Sequence, residues 1–77
     1  MKHISQLVAA KFKTEGTPVL VATKGKKKND AWASCEPDTP VTRAGLRAEL
    51  AAGFAKARVQ VGDEVKEFGI ETLLALE

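Results

Sequence analysis

A single cysteine in 77 residues excludes an internal disulfide, and Cys35 with the lone His3 falls short of any structural zinc ligand set. Tyrosine is absent, and the aromatics are three phenylalanines and Trp32. No aromatic pair accompanies that tryptophan in the pattern of a base-stacking sheet. Long apolar runs are missing too: nothing approaches the roughly 20 residues needed to span a bilayer. The N-terminal stretch MKHISQLVAAKFK has neither an uninterrupted apolar region nor a small-residue cleavage site, so the expected compartment is a reducing cytoplasm, with no membrane partner. Carboxylates are scattered, with no pair set in an apolar run that would tune a catalytic acid or base. Gly25 lacks the spaced glycines and the terminal Lys-Ser/Thr of a phosphate-binding loop, and helix-turn-helix and zinc-finger spacings are absent. The expectation is a protein that is not an enzyme and carries no cofactor or metal.

What is present is a small chain with an uneven charge. Its core is marginal at this length without metal, disulfide or partner, so a homo-oligomer is expected to supplement it. The net charge is only +2, but Lys2, Lys11, Lys13, Lys24, Lys26, Lys27 and Lys28 come early, opposed by Glu15 alone. From Asn29 onward acids outnumber bases. Such a dipole suits an anionic partner, or head-to-tail contact between copies.

Along the chain, Ile4, Leu7, Val8 and Phe12 recur at helical spacing and predict an amphipathic first helix, stopped by Gly16 and Pro18. Val19 to Ala22 is apolar on both faces, as in the interior of a sheet or a subunit contact. With Ala31 to Cys35 it predicts a β-hairpin whose tip is KGKKKND. Glu36 to Thr42, rich in Pro, Asp and Thr, breaks the chain. A second helix starts with Thr39 or Thr42 as cap and runs to about Ala57, with Leu46, Leu50 and Phe54 on one stripe. Gly45 and Gly53 each cost that helix about 1 kcal/mol relative to alanine. Arg58 to Val61 alternates, Gly62-Asp63 turns, and a strand at Glu64 to Phe68 precedes a terminal helix at Ile70 to Leu76. One continuous helix over 63–76 also satisfies the spacing.

The predicted fold is α+β, with two helices on a three- to four-stranded antiparallel sheet in the order helix, hairpin, helix, hairpin, short helix, forming one domain over residues 1–77. The predicted core is Ile4, Leu7, Val8, Phe12, Val19, Val21, Leu46, Leu50, Phe54, Val59, Val61, Phe68, Leu73 and Leu76. VAAKF at 8–12 echoes LAAGF at 50–54, each ahead of a strand pair.

Lys24, Lys26, Lys27 and Lys28, with Asn29, are the candidate binding residues. Four ammonium groups so close repel one another, and meeting an anion is the use that repulsion leaves open. The plain alternative is a solvated tip that guards a sheet edge. Trp32 reads either as a base-stacking or interface anchor or as part of the core, and the core is favoured. Cys35 has no neighbour that would lower its pKa and reads as a small hydrophobe. Residues 46–77, with helix, hairpin at Gly62-Asp63 and then FGIETLLALE, resemble in layout the small head-completion proteins of tailed phages. That resemblance covers under half the chain, carries no diagnostic residue, and implies a viral or mobile-element context.

The function expected from these residues is binding through protein contact, as an inhibitor, adaptor or assembly protein whose lysine tip meets an acidic protein surface. The alternative is a nucleic-acid-binding accessory protein that uses Lys24 to Lys28 for sequence-independent phosphate contacts.

Overall fold

Two strands, β1 (Val19–Lys24) and β3 (Lys56–Val61), pair antiparallel at the centre of a four-stranded sheet. The structure, a computed structural model, describes residues 3–76; the charges of Lys2 and Glu77 lie outside them. The short β2 (Ala33–Ser34) flanks β1, and β4 (Glu64–Gly69) flanks β3, giving the order β2-β1-β3-β4 with every pair antiparallel. Three helices complete this small α+β domain: α1 (Ile4–Ala9), α2 (Arg43–Ala51) and α3 (Ile70–Leu74). No described helix is long and apolar enough to cross a membrane.

Alternation along β3 decides which face is which. Ala57, Val59 and Val61 are buried and meet Ile4, Val8 and Phe12, Leu46, and Ile70 and Leu73 in one core cluster. The helices therefore cover that face. Lys56, Arg58 and Gln60 point to the other face, which is open.

β1 does not follow the expected alternation. Leu20 pairs with Val59 and Ala22 with Arg58, so Val21 is an extra residue, a β-bulge that switches the faces. Leu20 and Thr23 consequently turn inward, and Val19 and Val21, predicted as core, are only half-buried. The strand is nevertheless interior to the sheet. On its far side, Cys35 N–H donates to the Val21 carbonyl, Leu20 N–H donates to the Thr39 carbonyl, and Pro40 bridges Val19. Interior placement accounts for apolar residues on both faces of β1, so that feature no longer argues for a subunit contact.

The second helix is shorter than its pattern predicts. Thr42 caps it, its hydroxyl accepting from Gly45 N–H at 3.0 Å. Gly53, with φ of 100°, ends it: Phe54 N–H reaches the Glu49 carbonyl and Gly53 N–H the Leu50 carbonyl, the paired bonds of a Schellman stop. Gly53 is thus a terminator, where the spacing placed it inside the helix, and residues 54–57 belong to the approach to β3. Ala10 and Ala52 are the C-caps of α1 and α2, so the two echoed segments sit at equivalent helix ends.

At the C-terminal side, residues 64–74 are strand and then helix. Gly62, at φ of 60°, opens the two-residue turn between Val61 and Glu64, as the type II′ hairpin requires. The segment after α1 is tied to β4: Lys66 Nζ donates to the Lys11 carbonyl at 3.0 Å, and Lys13 N–H to Glu64 Oε2 at 3.3 Å. Phe12 packs against Phe68 with ring centroids 6.0 Å apart. Leu7 is half-buried and outside the core cluster, whereas Leu50, Phe54, Phe68 and Leu76 pack at its margin. Val41, Ala57 and Ile70 join the centre without having been predicted there.

Candidate functional site

The open face of the sheet gathers the predicted site. In the β1–β3 register, Lys24 stands opposite Lys56 and Ala22 opposite Arg58; across β3, Arg58 stands opposite Glu67. Two residues apart on the same strands, Lys24 and Ala22 share a face, as do Lys56 and Arg58. One surface thus carries three cations within two rows of the sheet.

Trp32 lies over those rows and outside the core cluster, which corrects the preference for a buried core tryptophan. The Arg58 guanidinium sits 4.1 Å from the centre of its ring and Lys24 Nζ 5.6 Å from it, both within cation–π range. The physical reason is β2. It pairs with β1 only at Ala33 and Ser34, so Trp32, expected inside a longer strand, precedes the paired segment and lays its indole across the face.

Arg58 is itself anchored. Its Nε and Nη2 both donate to Glu67 Oε1 at 3.2 Å. Glu67 on β4, Arg58 on β3 and Trp32 just ahead of β2 form a chain of contacts in which the carboxylate fixes the guanidinium and the guanidinium supports the indole.

Beyond Lys24 the chain enters the tip. Asp30 organises it: its carboxylate accepts from Lys27 N–H at 3.1 Å, and its own N–H donates to the Lys27 carbonyl. The same carboxylate occupies the space that a Cβ on Gly25 would need. Lys26, Lys27, Lys28 and Asn29 are all exposed on this closed turn. The tip continues the cationic surface of Lys24, Lys56 and Arg58, and Asp30 and Glu67 are the acids within it. Lys56 and Arg58 enter through register alone; the alternation of β3 would have placed them on the polar face but not beside Lys24.

A second concavity, a cleft of about 390 Å³, lies on the other side of β1, lined by Thr23, Ser34, Cys35, Glu36, Glu49 and Phe54 among others. Buried Thr23 donates its hydroxyl to Glu49 Oε2 at 3.4 Å. Burial pushes the Cys35 thiol up from its ordinary pKa, Glu49 adds to that, and a Thr23 hydrogen bond partly opposes it. A thiol held protonated is a poor nucleophile. Among the described residues, no group of three or more His, Cys, Asp or Glu is placed to hold a metal ion.

Comparison of the chain with protein-family models, curated proteins and solved structures finds no match.

Proposed function

We propose that this is a non-enzymatic nucleic-acid-binding accessory protein whose open sheet face and lysine tip form one continuous binding surface. The observation that carries this reading is the arrangement of Lys24, Trp32 and Arg58, an aromatic ring with two cations within cation–π range on the uncovered face. Phosphates supply the counter-charge for Lys24, Lys56 and the tip, and point charges on flexible stems take them without reading sequence. Basic charge and an aromatic surface together are the two components that recur in nucleic-acid-binding sheets.

An acidic protein surface would also meet the cations, and Val65, the exposed large hydrophobic at 51% among the described residues, stands opposite Gln60 on this same face; one exposed valine is a small apolar area for the centre of a protein interface. The free thiol fits a reducing, cytoplasmic setting.

The test is anisotropy of labelled single-stranded DNA, duplex DNA and RNA, titrated with the protein at low salt. Binding that weakens steeply with added salt is the expected result. Failure to bind all three would overturn the proposal and return the surface to the acidic-protein reading.

A further inference from the structure

Resting on that reading, we infer that the ligand is single-stranded and that one unpaired base stacks on Trp32. In a duplex the bases are stacked inside, and their edges are reached by an element that enters a groove. Trp32 instead lies on the broad face of a four-stranded sheet. Three strand spacings alone make that face about 14 Å across, wider than the roughly 12 Å major groove. An indole on such a face meets a base only when the base is already splayed out of a helix.

The surroundings of the ring fit this use. Arg58 supports the indole at 4.1 Å and is locked in turn by two hydrogen bonds to Glu67, so the plate is held in place before a ligand arrives. Lys24 Nζ lies over the ring at 5.6 Å from its centre, and Lys56 faces Lys24 across the ladder. The backbone flanking a stacked base would therefore run past two ammonium groups. Gln60, the amide side chain on the same face, already donates to the Gly62 carbonyl at 2.9 Å. The row thus offers a stacking surface and phosphate contacts, which position a strand without reading its sequence.

Trp32 is the one tryptophan of the chain, so intrinsic fluorescence reports on this contact directly. Titration with a short oligothymidylate should quench Trp32 emission saturably, while a duplex of equal length should leave it nearly unchanged. Trp32→Ala should weaken oligothymidylate binding by about 5- to 100-fold, and Trp32→Phe should keep most of the affinity. Saturable binding by anisotropy with Trp32 emission unchanged, or a preference for duplex, would overturn the stacking inference and leave nucleic-acid binding standing. Absence of binding to either probe would overturn both.

Discussion

Lys24 and Lys56 are directly opposed across the central β1–β3 ladder, on the face turned away from the helices. Like charges in facing positions destabilise a sheet, so this pair works against folding and in favour of an anionic ligand. Lys56→Glu replaces repulsion by attraction. It should raise stability by about 0.2–1 kcal/mol and weaken oligonucleotide binding at the same time. A thermal melt beside a titration checks both; a mutant that is stabilised and still binds as the wild type does would remove Lys56 from the surface.

Core positions are ranked by burial. Leu46 is 1% exposed, and Leu46→Ala should cost about 2–5 kcal/mol. Leu50, at the margin of the same cluster, should cost less on truncation. Denaturant midpoints of the two variants decide it, and equal losses would contradict the placement of Leu50.

How much of this was legible follows from local chemistry. Arg58 to Val61 and Gly62-Asp63 announced their strand and turn because alternation and turn residues coincide there. β1 misled because a bulge is a matter of pairing, invisible in VLVATK, and one extra residue lets Leu20 share the inward face with Thr23 while Val19 and Val21 stay outside the core. The alanine-rich run to Ala57 read as helix on propensity, and Gly53 was the stop signal within it. The lysine tip was evident. Its continuation into Lys56 and Arg58 was not, since it depends on which residues of a distant strand face Lys24.

The two positive-φ glycines should differ in sensitivity. A Cβ on Gly53 meets nothing within 4 Å, so Gly53→Ala should cost only the conformational penalty of about 1–2 kcal/mol. At Gly62 the added carbon would also approach Thr14 Cγ2 at 2.8 Å. Gly62→Ala should therefore lose more stability than Gly53→Ala in chemical denaturation, and Thr14→Ser should recover part of the difference.

Cys35 should react slowly. With its pKa raised by burial and then by Glu49, alkylation by iodoacetamide should be slow at neutral pH and inflect above the ordinary thiol value. Glu49→Gln should move the inflection down and speed the reaction. Because the folded-state pKa is raised, the linked stability is complete below the unfolded thiol pKa and declines as pH rises through the folded one. The window is alkaline, and a rate that inflects near or below neutrality would contradict this.

The central claim is that the open face and the tip contact phosphates. The most direct measurement is oligothymidylate affinity across a range of salt, for wild type beside the triple variant Lys26→Ala, Lys27→Ala, Lys28→Ala. Each lost single-strand phosphate contact should remove about 0.7 from the slope of log affinity against log salt, so the variant's slope should be shallower by up to about 2, with the fold intact by circular dichroism. An unchanged slope, or no wild-type binding at the lowest salt, would contradict it.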